Sequence, residues 1–139
     1  MNWLFWALLS AVFAGATAVL AKVGVDGVNS NLATAVRTTV VLVFAWSVAL
    51  ATGPVNAVWT LPRKTWVFLA LSGIATGLSW LCYFRALQLG EASKVAPVDK
   101  LSVVFVIAFA ALFLGEALTV KTAVGGALIV AGAVVLAWN

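Results

Sequence analysis

The sequence predicts an all-α integral membrane protein with five transmembrane helices, and three observations carry that reading. Hydrophobic residues make up 65% of the 139 residues and charged ones 9%, against roughly 45–50% and 25% in a soluble globular domain. Crossing a hydrocarbon layer of about 30 Å takes around 20 helical residues, and charge-poor runs of that order fall near 3–23, 32–53, 65–87, 95–115 and 122–138. The ionisable residues are confined mainly to the junctions and to one membrane level. A water-soluble fold could not hide so much apolar surface. The short connections leave no soluble domain, so residues 1–139 are expected to form a single transmembrane domain.

The first run opens on Met1-Asn2-Trp3, which has no basic side chain, and it is longer than a secretory signal core. It is therefore expected to stay as a helix. Close packing between membrane helices favours Gly, Ala, Ser and Thr, and Ala11, Ala14, Gly15, Ala18 and Lys22 fall on one of its faces. In the second run Thr34, Arg37, Thr38 and Ala45 do the same. The third carries Gly73-x-x-x-Gly77 beside Ser72, Thr76 and Ser79, continuing towards Trp80, Tyr83 and Phe84. These three helices are expected to turn faces towards protein.

The fourth run poses a length problem. Only fifteen residues separate Lys100 from Glu116, which is roughly 22 Å of helix and too short to span. The helix must begin nearer Val95, drawing Asp99 and Lys100 inside, or it must be broken; Pro97, with no N–H to donate, permits either. The fifth run is wholly apolar, with Gly125, Gly126 and Gly132 marking a smooth surface suited to helix association, within its own protomer or with a second subunit.

Arg37 lies five residues beyond Leu32, about 8 Å along its helix. With Lys22, Arg85, Asp99 and Lys100 it gathers four cations and one carboxylate at a similar level. An ionisable group inside a membrane costs several kcal/mol unless paired or hydrated. Lys22 and Arg85 either snorkel to headgroups or line a cavity. Asp99 either pairs with Arg37, Arg85 or Lys100, or contributes to a site. The surplus positive charge slightly favours an anionic or zwitterionic solute, and Trp80, Tyr83 and Phe84 would give it an apolar wall unless they are ordinary packing. Glu116 suits an interfacial cap or a pair with Lys121.

Numbering the loops alternately gives one side Arg63, Lys64 and Lys121 and the other Lys22, Arg85 and Lys94, with Arg37 and Lys100 deeper. Three against three, or three against five, is a weak bias by which to orient a chain. A fixed topology and insertion both ways round as an antiparallel dimer both remain open.

Other chemistries lack their parts. There is no histidine, no glycine-rich phosphate loop and no Ser/His/Asp set, and the single Cys82 supports neither a disulfide framework nor a metal cluster. No catalytic residue, metal site or cofactor is expected. The net charge of +4 comes from eight scattered Lys and Arg, which suits anionic headgroups rather than nucleic acid.

Several stretches resemble one family: Tyr83-Phe84-Arg85-Ala86-Leu87, Gly90-Glu91-Ala92-Ser93-Lys94-Val95-Ala96-Pro97-Val98, Leu101-Ser102 and Phe113-Leu114-Gly115-Glu116-Ala117-Leu118-Thr119, preceded by Ala21-Lys22-Val23-Gly24-Val25 and Arg37-Thr38. Their order and spacing resemble the EamA domain of the drug/metabolite transporter superfamily. Most relatives carry two such domains, ten helices related as an inverted repeat, and export or exchange small metabolites. With one copy in this chain, the resemblance implies that two chains meet antiparallel. It also implies that the first four helices surround a cavity while the fifth supports assembly. It places Arg37 and Arg85 at cavity level, with Asp99 and Lys100 at the start of the fourth helix, where the Asp-Lys pair departs from the mostly uncharged residues of the family pattern.

The expected function is therefore a secondary transporter, exporter or exchanger, working by alternating access as an antiparallel homodimer in a bacterial or archaeal plasma membrane. Its expected partners are the lipid bilayer, a small-molecule substrate and a second copy, and no nucleic acid. The expected substrate cavity comprises Lys22, Arg37, Trp80, Tyr83, Arg85, Asp99 and Lys100, with Gly73, Gly77, Gly125, Gly126 and Gly132 in helix packing or dimerisation. The alternative is a non-transporting scaffold or regulatory subunit that associates through its fifth helix.

Overall fold

Helix ends are set by capping chemistry as much as by hydropathy, and this displaces several boundaries from those the apolar runs suggest. The computed structural model describes residues 2–53 and 55–138, and all their regular structure is helical. Helix α1 covers Trp3–Gly24 and α2 covers Ser30–Thr52. The side chain of Asn29 starts α2, accepting hydrogen bonds from the Asn31 and Leu32 backbone N–H groups at 2.9 and 3.3 Å. Such a cap satisfies donors that the first turn leaves without partners. A 3-10 helix at Val55–Thr60 then leads to α3, Arg63–Leu89.

The fourth span is interrupted. Helix α4 is Ala92–Asp99, α5 is Ser102–Phe109, and a π-helical turn at Ala110–Leu114 follows. Between α4 and α5 the backbone tightens, with Lys100 N–H shared between the Ala96 and Pro97 carbonyls and Leu101 N–H bonding Val98 O at 3.0 Å. The span thus reaches back to Ala92 and is also locally broken, so both routes out of the length problem are used. It stops at Gly115, whose φ of 68° lies in the left-handed region, favoured by glycine because no Cβ obstructs it. The last helix, α6, is Val120–Ala137, with the Thr119 side chain accepting from Thr122 N–H at 3.2 Å.

Five stretches, α1, α2, α3, Ala92–Leu114 and α6, are long and apolar enough to cross a membrane. Only 6–11% of the most apolar window of each is buried within the chain, and large side chains such as Leu20, Phe44, Phe68 and Leu112 are exposed. Apolar surface on that scale requires a hydrocarbon environment. The protein is a multi-pass integral membrane protein.

Two compact units make up the chain. One joins Met1–Val23 to Leu89–Asn139; the other is Gly24–Gln88. In the first, α6 packs on α4 and α5, burying Gly126 and Ala133, seven residues apart and so on one face. In the second, Ser30, Thr34, Phe84 and Leu87 are buried along α2 and α3. The hydroxyls of Thr34 and Thr38 donate to the Ser30 and Thr34 carbonyls at 2.8 and 2.7 Å. These bonds satisfy polar groups inside their own helix, which lets that face meet protein without exposing unpaired donors.

Candidate functional site

Within the Gly24–Gln88 unit, α2 and α3 bring a cation onto aromatic rings. Arg37 follows Thr34 by nearly one turn, on the face made by Ser30, Thr34 and Thr38. Opposite, Trp80 and Phe84 are four residues apart on α3 and share a face. The Arg37 guanidinium carbon lies 4.2 Å from the Trp80 ring centroid and 5.5 Å from that of Phe84. Both are within the range of roughly 6 Å at which a ring quadrupole attracts a cation. Because α2 begins at Ser30, Arg37 is seven residues into the helix, about 10 Å from its start.

Among the described residues Arg37 has no ion pair or hydrogen bond, and no buried side-chain nitrogen or oxygen lacks a partner. Its N–H groups are therefore accessible. The site is a fixed positive charge held on an apolar platform with its donors unused, an arrangement suited to binding an anion. Tyr83, half-buried, stands one residue before Phe84 on α3.

Arg85 is engaged differently. Its Nη1 donates to Gln88 Oε1 at 3.0 Å. Gln88 Nε2 in turn donates to Val25 O at 3.3 Å and to Val28 O. Gln88 was not apparent from sequence, because the carbonyls it binds lie 63 and 60 residues away in a turn and no local pattern marks them.

The other expected charges belong to the unit made of Met1–Val23 and Leu89–Asn139. Lys22, in the last turn of α1, donates to Gly90 O at 2.8 Å. A lysine suits the negative end of a helix. Asp99 pairs with its neighbour Lys100 at 3.5 Å, the third of the three partners considered for it. Glu91 and Lys94 form a further pair at 3.7 Å. Glu116 follows the left-handed Gly115, its N–H bonding Ala110 O at 3.2 Å, and forms no ion pair among the described residues. No group of three or more His, Cys, Asp or Glu that could hold a metal ion occurs among the described residues.

The glycines divide as well. A Cβ on Gly126 would sit 3.5 Å from Ile107 Cδ1, whereas Gly73, Gly77, Gly125 and Gly132 would meet nothing within 4 Å. Of these five, Gly126 alone is approached closely inside the chain.

The model of the EamA-like transporter family matches residues 1–138. The chain belongs to that family. A relative in Sinorhizobium sp, named as an uncharacterized transporter in the cobO 3' region, is 56% identical over 136 residues, covering 98% of this chain and 96% of the relative. No solved structure is matched. Membership of the EamA-like family makes the protein a membrane transporter by kinship.

Proposed function

We propose that this chain is half of a secondary transporter of small metabolites. Two copies pair antiparallel to make ten helices related as an inverted repeat, and the pair alternates between states open to either side. Rocking of inverted repeats about a central site is the general logic of such carriers. The observation that carries the reading is Arg37, about 10 Å into α2 with its donors accessible over Trp80. Such a charge is costly in hydrocarbon and most readily retained where a solute and water reach it. Family membership and the near-even Lys/Arg distribution support the remainder.

In this reading Arg37, Trp80, Tyr83 and Arg85 face the solute path. Lys22 anchors the connection after α3 through Gly90. The purified protein, reconstituted in sealed vesicles, should take up labelled organic solutes in exchange for internal unlabelled solute. Arg37→Ala should lower that uptake at least about tenfold, the cost of roughly one charge-assisted contact, while yield and oligomeric state stay as in the parent. Equal uptake by the variant would remove Arg37 from the path. Loss of folded product would instead make it a structural residue.

A further inference from the structure

We infer that Arg37 acts as a charge filter, admitting solutes with a carboxylate and turning away organic cations by occupying the aromatic face on which a cation would settle. The inference deepens the transporter reading and rests on Arg37 facing the solute path.

The argument begins with the rings. Trp80 is the side chain best suited to hold a cation, since indole has the strongest attractive face of the aromatic residues. Its half-buried ring already carries the Arg37 guanidinium at 4.2 Å, with Phe84 at 5.5 Å completing the platform. An incoming ammonium on that side would meet a like charge and no vacant face. A carboxylate would find the opposite. The guanidinium is held in place by the rings yet has no hydrogen bond or ion pair among the described residues, and its nitrogens are accessible. Planar guanidinium groups stack on aromatics while offering a fork of N–H donors that fits a carboxylate with two parallel bonds. The platform lowers the ordering cost of that fork, since the rings restrict the side chain before the solute arrives.

Arg37 and Trp80 thus act as one device. Lysine at position 37 would keep the charge and still repel cations, but it would lose the fork. Alanine would lose both and uncover the ring.

The test measures equilibrium binding of two labelled probes that share a phenyl ring, benzoate and phenyltrimethylammonium, to the full-length protein in lipid nanodiscs. The parent should prefer benzoate. Arg37→Lys should weaken benzoate roughly 10- to 100-fold without admitting the cation. Arg37→Ala should weaken benzoate as much and strengthen phenyltrimethylammonium about fivefold. Trp80→Leu should weaken benzoate while Arg37 is still present.

The inference is overturned if the parent binds neither probe, binds the two equally or prefers the cation, or if benzoate binding survives Arg37→Lys unchanged. Should Arg37→Ala not fold, the lysine and Trp80→Leu variants decide alone. Exchange uptake on the same preparations separates this inference from the transporter reading. Selective binding without flux sinks transport and leaves charge selection standing; flux of phenyltrimethylammonium through the parent sinks charge selection and leaves transport standing.

Discussion

Gln88 shows how a single uncharged side chain can hold a membrane protein's turn in place. Its amide donates to two carbonyls, Val25 and Val28, and its oxygen accepts from Arg85. The turn it grips contains Gly27 at a φ of 67°, and Val25 there is 2% exposed. Gln88→Leu keeps the approximate size but removes the side-chain donor from both carbonyls, leaving Val25 O only the Val28 N–H at 3.3 Å. Losing such a hydrogen bond costs about 0.5–1.5 kcal/mol. Thermal unfolding in detergent should show a lower midpoint for Gln88→Leu, whereas Gln88→Glu loses the donor amide and should be destabilised as well. Unchanged midpoints in both would mean that the turn is held by packing. At the same scale, charge counting from sequence offered Asp99 as a partner for Arg37, Arg85 or Lys100. The carboxylate lies beside Lys100, while Arg37 rests on rings. Charge counting sees only ionised groups; a ring's attraction depends on where α3 places its face, which spacing along one helix does not reveal.

The helices themselves were largely legible because lipid imposes a simple rule: about 20 apolar residues per crossing. Their ends were less so. Asn29 and Thr119 are polar residues outside the apolar runs, and by capping they extend α2 back to Ser30 and α6 back to Val120. In the fourth span Pro97 marked the irregularity, and the backbone tightens beside it at Lys100; the π turn at Ala110–Leu114 has no such mark in the sequence. The glycines of α6 were readable as a group but not individually. Gly126 faces Ile107 at 3.5 Å, while Gly125 and Gly132 face open space. Gly126→Leu should therefore overpack the α5–α6 contact and destabilise the fold by about 1–3 kcal/mol, seen as a lower unfolding midpoint. At Gly132 a Cβ meets nothing within 4 Å, so Gly132→Leu extends from an open face. Its midpoint should match the parent, and if α6 joins two copies, its cross-linking yield in membranes should fall. A yield equal to the parent's would take the Gly132 face out of the interface.

For the whole molecule the open question of orientation becomes a physical one, because the same chain must enter the membrane both ways if two identical copies are to form an inverted repeat. Orientation follows Lys and Arg in short loops and near the helix ends, with Asp and Glu contributing little. Arg63, Lys64 and Lys121 on one side oppose Lys22, Arg85 and Lys94 on the other. Counting the deeper Arg37 and Lys100 makes it three against five, still a weak bias. Single cysteines at Asn56 and Asp26, both exposed and in successive connections, would report the two sides once the exposed Cys82 is replaced by alanine. An impermeant thiol reagent applied to sealed cells should label each site in about half of the molecules. Adding two lysines beside Asn56 should then drive that loop to one side, shifting labelling towards all-or-none and, if both orientations are needed, abolishing exchange uptake; coexpression with a copy biased the other way should restore it. All-or-none labelling of the parent would show a fixed orientation and remove the antiparallel homodimer from the mechanism.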